Sequence, residues 1–263
     1  MKVNLHTASL GVPVLIAVVA WQLAAAQPSD PTVRENQAVL GTEEIVSHLV
    51  QRNLERSRAL AAYQGSRTYR LEYRGFPGSR AAEMVVDVSY KAPADKEASK
   101  EFTIRSESGS KLLIERVFKR MLQSEKESVT EQNQRGVALN RENYTFALVG
   151  QEKTPTSFAY ILSVEPRTSN KLLYRGRIWV DATDFAVIRI EGEPAKNPSF
   201  WTKETKIEQV YEKVGDFWLP QSNRSATPVR LGGHASFSID YGDYQITAVT
   251  PPRPVGSDVA GYR

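Results

Sequence analysis

The sequence contains no cysteine and only three histidines among its 263 residues. Without cysteine there can be no disulfide, no thiolate nucleophile, no iron–sulfur cluster and no thiolate zinc site. A lipid-modified amino terminus of the bacterial lipoprotein type is excluded for the same reason. Apolar residues make up 41% and charged residues 24%, as in an ordinary globular domain. The net charge of +4 is small for this length, so we expect no nucleic-acid partner.

The first 26 residues have the pattern of a secretory signal peptide. Lys2 gives a positive start, residues 10–20 are an apolar run, and three alanines end the segment at Ala26. This pattern predicts cleavage after Ala26, with an uncleaved anchor as the alternative. Cleavage takes 26 residues from 263 and leaves 237. We therefore expect an exported protein, most simply a periplasmic one in a bacterium.

Two amphipathic helices are predicted in the remaining chain. A flexible, polar lead-in over residues 27–41 precedes a helix over about 42–62, which Thr42 is expected to cap. The second helix covers about 110–127, with apolar residues at helical spacing. The polar residues 128–140 that follow are predicted to form a loop.

The other recurring pattern is the alternation of apolar and polar residues, which predicts half-buried antiparallel strands. Gly242 interrupts this alternation in the last strand and predicts a bulge there. We expect one domain over 42–249, mainly β with two helices (α+β), followed by a disordered tail over 250–263. Its curved antiparallel sheet would form an incomplete, half-open β-barrel with a helical lid. The ten predicted strands lie within 69–74, 83–90, 102–105, 144–148, 158–164, 172–181, 185–191, 201–214, 217–223 and 234–246.

Signatures of catalysis are scarce. The sequence has no hydrolase nucleophile elbow, zinc-protease helix, phosphate-binding loop or dinucleotide motif. His48 falls on a predicted helix and His234 begins a strand, and neither has a triad partner nearby in the sequence. Two close carboxylate pairs, Asp181 with Asp184 and Asp240 with Asp243, could in principle serve a glycosidase, but the first is typical of a hairpin turn. We therefore expect no enzymatic activity, no cofactor and no metal, with an exported enzyme as a remote alternative.

A sheet face covered by helices could instead hold an apolar ligand. Each aromatic residue of the strands could alternatively fill a solid core instead of lining a cavity. The second helix could be a lid, an ordinary packing helix or a basic amphipathic segment on an anionic membrane. The residues predicted to line the cavity or its lid are Tyr69, Leu71, Tyr73, Val86, Val88, Phe102, Ile104, Leu113, Val117, Phe118, Met121, Phe146, Phe158 and Trp179.

Part of the chain resembles a known family. Residues 176–181, Gly-Arg-Ile-Trp-Val-Asp, together with 186–192 resemble a hairpin motif of the LolA-like superfamily. Residues 213–220, which end in Phe-Trp-Leu-Pro, resemble the strand–turn–strand that follows it in many members. That superfamily includes periplasmic carriers of outer-membrane lipoproteins and the amino-terminal domain of RseB/MucB regulators. The resemblance extends over about 144–246 and implies an unclosed barrel whose apolar face shields acyl chains.

The resemblance also implies roles for single residues. Trp179 would pack between sheet and lid, Asp181 would shape the turn, and Arg189 would pair across the hairpin. The motif residues expected to serve the fold are Asp181, Arg189, Trp218 and Pro220. The carriers tether their lid with a strand arginine, and three arginines are unassigned candidates for it here: Arg70, Arg74 and Arg105.

The sequence therefore predicts a periplasmic carrier or binding protein for lipids or lipid-modified proteins, acting without chemistry. Its expected ligands are acyl chains, lipids or lipoproteins, and its expected partners are transient inner- or outer-membrane proteins. Burial of an acyl chain gains about 0.8 kcal/mol per methylene, so an apolar cavity alone could hold one. The alternative is an RseB/MucB-like regulatory sensor that binds a membrane-anchored protein.

Overall fold

The computed structural model describes residues 40–92, 97–128, 136–170, 172–196, 204–229 and 232–249. The predicted signal peptide, the lead-in up to residue 39, the tail from residue 250 and the strand start predicted at 201 lie outside these ranges. So do residues 129–135 of the predicted loop. Within the described ranges, no helix is both long enough and apolar enough to span a membrane.

Ten antiparallel strands form one sheet in the order β3-β2-β1-β10-β9-β8-β7-β6-β5-β4. The two outer strands, β3 and β4, are not paired with each other, so the sheet does not close. The structure thus confirms the prediction of an incomplete antiparallel barrel with two helical segments. The strands are β1 (Leu60–Gly75), β2 (Arg80–Lys91), β3 (Ser99–Gly109), β4 (Tyr144–Lys153), β5 (Phe158–Pro166), β6 (Tyr174–Asp181), β7 (Val187–Pro194), β8 (Lys206–Val214), β9 (Phe217–Val229) and β10 (Gly233–Val249).

The first helix, α1 (Thr42–Ala59), ends three residues earlier than predicted. Leu60 already pairs with Val249 of β10, so sheet hydrogen bonds replace helical ones from that residue onward. Thr42 is the first helical residue rather than the cap, and Gly41 precedes it. The Thr42 hydroxyl accepts a hydrogen bond from the Leu148 amide (3.1 Å), which fixes the start of α1 to β4.

The second helix runs from Lys111 to Ser128, close to its predicted bounds. It consists of α2 (Lys111–Leu113), a π-helical turn over Ile114–Phe118 and α3 (Lys119–Ser128). A π-turn is wider than an α-turn, and side chains four residues apart then align along the helix. Ile114, Phe118 and Leu122 have this spacing, and all three are buried against the sheet.

Two separate hydrophobic cores lie on one face of the sheet, which we call the inner face. The first lies under the second helix on β1, β2 and β10, and Tyr69, Met84 and Phe118 are at its centre. The second lies under α1 on β4 to β7, and Leu49 and Leu162 are at its centre. Because each helix covers a different part of the sheet, β8 and β9 lie between the two cores.

The predicted interruption of β10 is confirmed as a bulge. Gln64 of β1 pairs with Gln245, but Ser66, two residues further, pairs with Gly242, so β10 has one extra residue there. Asp243 takes up the turn with a φ of 52°. Its carboxylate accepts a hydrogen bond from the Ser66 hydroxyl (2.5 Å). Because of this extra residue, the apolar side chains before and after the bulge both face the inner side of the sheet.

Candidate functional site

Two cavities occupy the inner face between the cores. The smaller, of about 380 Å³, lies between the second half of α1 and strands β6 to β9. The larger, of about 700 Å³, lies between the second helix and strands β1 to β3 and β8 to β10. Val137, Leu172 and Gln209 line both cavities, so the two adjoin. Both volumes fall in the range of small-molecule sites in proteins.

The lining of the smaller cavity is mainly apolar and aromatic. Arg56 of α1 crosses over it and donates hydrogen bonds to the carbonyls of Asp184 (2.9 Å) and Phe185 (3.1 Å). This contact fastens the end of α1 to the turn between β6 and β7. The remaining lining residues include Leu139, Tyr174, Val187, Ile190, Ile207, Tyr211 and Trp218.

The larger cavity has aromatic walls and a cluster of charged groups. Tyr63, Tyr90 and Tyr241 contribute the rings, and Leu60 and Pro220 add apolar surface. The charged residues are Arg67 and Lys100 from the sheet and Glu125 and Glu127 from α3. The cavity therefore suits a molecule with an apolar body and a polar end.

The fourteen residues predicted for the cavity or its lid lie outside the linings of the two cavities, and four of them belong to the second helix. Eleven fill the cores or pack against them: Tyr69, Leu71, Val86, Val88, Phe102, Leu113, Val117, Phe118, Met121, Phe146 and Phe158. Ile104 is 40% exposed on the outer strand β3, and the Tyr73 hydroxyl donates to the Phe76 carbonyl (2.6 Å). The aromatic residues among these eleven thus belong to solid cores, which was the alternative considered for them.

Trp179 requires a correction, because it does not lie between the sheet and the lid. Its neighbours in the strand, Ile178 and Val180, belong to the core under α1, so Trp179 faces the opposite side of the sheet. It is buried there beneath Arg189, whose guanidinium carbon lies 3.7 Å from the ring centre. The indole N–H donates to Glu152 (2.8 Å). Arg189 thus pairs across the hairpin with Trp179, its partner in register.

Two of the motif residues assigned to the fold line the cavities instead. Trp218 lines the smaller cavity and Pro220 lines the larger one. The Trp218 indole N–H donates to Asp184 (2.9 Å), which holds the ring in place. Asp181 lies in the turn, where its carboxylate accepts the amides of Thr183 (2.9 Å) and Asp184 (2.8 Å).

The sequence did not single out Arg67, which the structure places in the lining of the larger cavity. Only 5% of its side chain is exposed. Its guanidinium donates to Glu125 of α3 (2.7 Å) and to the Tyr69 hydroxyl (3.1 Å). The rings of Tyr241 and Phe102 flank it, with centres 4.9 and 5.5 Å from the guanidinium carbon. Arg67 therefore connects strand β1 to the second helix.

The three arginines considered for a lid tether have other partners. Arg70 contacts Glu83 and Asp240, Arg74 contacts Glu72, and Arg105 contacts Asp87. All three are substantially exposed.

Arg67 could have been found in the sequence because it shares the phase of Tyr63, Tyr69 and Leu71 in β1. A charged residue at a strand position that faces the core needs a buried partner. A charge among such apolar positions therefore indicates a buried ion pair.

The Arg67 contacts control the ionisation of Glu125. Burial alone would raise the pKa of Glu125, but the positive charges of Arg67 and Lys100 outweigh it and lower the pKa to about 2. Lys100 donates to one carboxylate oxygen (2.8 Å) and Arg67 to the other. Glu125 is therefore a carboxylate throughout the range in which the protein would function. Burial also raises the pKa of Tyr69 to about 12, so its hydroxyl stays protonated.

Replacing Glu125 with glutamine should change how stability depends on pH. A carboxyl whose pKa falls from its ordinary value of 4.5 to about 2 on folding stabilises the protein above pH 4.5. That contribution disappears as the pH falls towards 2. We expect the variant to be about 2–3 kcal/mol less stable near neutral pH, with the difference shrinking below about pH 4.5. Urea denaturation at several pH values measures it, and a constant difference down to pH 2 would contradict the assignment.

Residues considered for catalysis do not assemble a reactive group. The His48 ring packs on Phe185 at 4.6 Å between ring centres, and Asp184 bonds Lys213 and Trp218. In the part of the chain that the structure describes, no three histidine or acidic side chains cluster as metal ligands would.

Comparison with known proteins gives matches in structure only. Neither a family profile nor a curated protein sequence matches the chain. Among solved structures it resembles a DUF1329 family protein from Desulfovibrio piger (12% identity, TM-score 0.37, covering 79% of this chain and 93% of that one). It also resembles a LolA superfamily protein from Nitrosomonas europaea (10%, TM-score 0.32, covering 79% and 94%). A third is the MucA/MucB complex of Pseudomonas aeruginosa (11%, TM-score 0.26, covering 80% and 99%).

LolA-like and MucB structures are thus among the neighbours of this chain. They are the proteins that its hairpin motif resembles. The likeness concerns the fold alone.

Proposed function

We propose that the protein is a periplasmic binding or carrier protein for acyl chains, either of lipids or of lipid-modified proteins, and that it acts without catalysis. The observation that carries the proposal is the pair of adjoining cavities between the two cores. Their walls combine aromatic and aliphatic side chains from both halves of the sheet with the inner surfaces of both helices. Ligand sites in proteins have this concave, mainly apolar character.

The energetics of burial are adequate for such a ligand. Each methylene transferred from water gains about 0.8 kcal/mol, so ten buried methylenes gain about 8 kcal/mol before the costs of ordering. Micromolar binding requires about 8 kcal/mol in total. Because association costs about 4 kcal/mol or more, a chain of about fifteen buried methylenes, or a shorter one with a bonded polar end, is needed to meet this requirement.

Release of the ligand would involve the second helix, which covers the larger cavity. Its α3 segment is held to the sheet by ion pairs, from Glu125 to Arg67 and Lys100 and from Lys126 to Glu101. Ion pairs can be exchanged for water or for a partner's charges when a membrane or a membrane protein is met. We propose inner- or outer-membrane proteins as the transient partners at that step.

The test is to fill the cavities with one side chain. Gln209 lines both cavities, so Gln209→Trp should block an acyl chain and weaken the binding of a fluorescent fatty-acid probe at least tenfold. Glu208→Trp is the matched control, because the neighbouring residue of β8 points to the opposite face of the sheet. Its affinity for the probe should stay within about twofold of the unaltered protein.

The results of these binding measurements distinguish between the possible functions. If the unaltered protein binds no probe, and lipid extraction of protein purified from the periplasm yields no acyl chain, the carrier proposal fails. That result would favour the alternative hypothesis, a sensor that binds a membrane-anchored protein. If both tryptophan variants bind as tightly as the unaltered protein, the ligand does not occupy these cavities.

A further inference from the structure

The lining of the larger cavity contains two cations that belong to strands of the sheet. Arg67 lies on β1 and Lys100 on β3, and their side chains are only 5% and 13% exposed. Arg67 is flanked by the rings of Phe102 and Tyr241, and the Lys100 ammonium lies 6.0 Å from the Tyr90 ring centre. These rings and strands belong to the sheet, so both cations have partners in the sheet besides their bonds to the second helix.

The anion between these cations comes from a different element. Glu125 lies on α3, and each of its carboxylate oxygens accepts a bond from one cation, Arg67 at 2.7 Å and Lys100 at 2.8 Å. A carboxylate or phosphate with two free oxygens could make the same two bonds. Glu125 thus occupies an anion site whose donors are both on the sheet.

The larger cavity leads to this anion site. Arg67, Lys100 and Glu125 all line it, together with Tyr63, Tyr90 and Tyr241. Glu127, the other acidic residue of the lining, is exposed and bonds Gln123 of its own helix (2.7 Å), so its charge is screened by water. An acyl chain lying in the cavity could therefore place its polar end beside Arg67 and Lys100.

We propose that the larger cavity takes a single-chain amphiphile with an anionic head, a carboxylate or a phosphate, and that this head replaces Glu125 on Arg67 and Lys100. The inference rests on the proposed function and names its ligand class. Replacement frees Glu125 and with it one attachment of α3 to the sheet. Binding of the head and docking of α3 then oppose each other, and each weakens the other by the same factor.

The experiment compares amphiphiles of equal chain length and different heads. A sixteen-carbon carboxylate, the corresponding monoalkyl phosphate and the corresponding alcohol are titrated below the concentrations at which they aggregate. The unaltered protein should bind one or both anions at least tenfold more tightly than the alcohol. The two anionic arms show which head the site prefers.

Variants test the exchange itself. Glu125→Gln removes the internal competitor and should tighten the binding of the preferred anion about tenfold relative to that of the alcohol. Lys100→Met removes one cation and should abolish the preference for the anion. The matched control is Glu101→Gln, which breaks the exposed Lys126–Glu101 pair between α3 and β3 but lies outside the cavity lining. Its preference for the anion should be that of the unaltered protein.

Amide hydrogen exchange gives a second readout. The anion should speed exchange in α3, because it displaces Glu125, whereas the alcohol should leave it unchanged. Equal affinity for anion and alcohol in the unaltered protein, or no gain in Glu125→Gln, would overturn the inference and leave the acyl-chain proposal intact. Failure to bind all three amphiphiles would overturn both.

Discussion

Replacing Gly176 with alanine is expected to cost about 4 kcal/mol or more of folding free energy and to leave little folded protein. Gly176 of β6 has a φ of 148°, in which residues with a side chain are strained. A Cβ there would lie 2.1 Å from the Glu191 carbonyl oxygen and 2.5 Å from the Gly192 Cα. Both obstacles are backbone atoms of the paired strand β7, so no side-chain rotation can relieve the contact.

Urea denaturation and the yield of folded protein measure the effect of Gly176→Ala. Gly150→Ala is the matched control, since Gly150 also lies in a strand of the same half of the sheet. A Cβ at Gly150 meets only the Ile161 side chain, at an ordinary 3.8 Å. We expect the control to lie within about 0.5 kcal/mol of the unaltered protein. Equal stability of the two variants would mean that β6 and β7 do not approach as closely as described.

The second large effect is expected from Phe118→Ala, at about 3–5 kcal/mol. Phe118 is fully buried in the π-helical turn and packs on Tyr69 and Phe237, with ring centres 5.9 and 6.0 Å away. Removing the ring leaves a cavity that the sheet cannot close, because Tyr69 and Phe237 are fixed in paired strands. The second helix should lose its main anchor along with the core.

Thermal and urea denaturation measure the loss of stability in Phe118→Ala, and hydrogen exchange shows whether the second helix loosens first. The control is Phe76→Ala, which removes the same atoms from a residue that is 80% exposed in the turn after β1. Its stability should change by no more than about 0.5 kcal/mol. A loss below about 1 kcal/mol in Phe118→Ala would show that the helix is not packed as a core element.

Alternation of apolar and polar residues was sufficient to predict the ten strands and the open sheet. This alternation is informative because each strand presents one face to a core. In β10 the alternation resumes after the interruption at Gly242. Helix ends were less accurate: Leu60 is as apolar as a helical residue would be, and only its pairing with Val249 makes it a strand residue. That pairing joins residues 189 positions apart, which no local pattern reports.

The cavities were harder to predict than the fold. Local periodicity identifies buried side chains, and the largest of these, such as Tyr69 and Phe118, fill the cores under the helices. The cavities form between the two cores and beneath parts of both helices, so their position depends on how α1 and the second helix pack on the sheet. Gln209 lines both cavities without any distinctive local pattern, and Pro220 was identified only as a motif residue of the fold. Arg67 did carry a signal, because a charge interrupts the apolar phase of β1.

The strand order has a consequence for how the chain assembles. All neighbouring strands are consecutive in the sequence except β1 and β10. The core built on β1 and β2 is completed by Phe237 and Ile239 of the last strand, whereas the core built on β4 to β7 is completed by Ile45 and Leu49 of α1, the first described helix. Each half is thus finished by an element from the opposite end of the chain. Neither half can be separated as an autonomous folding unit, and a chain emerging amino terminus first cannot complete the first core until β10 has emerged.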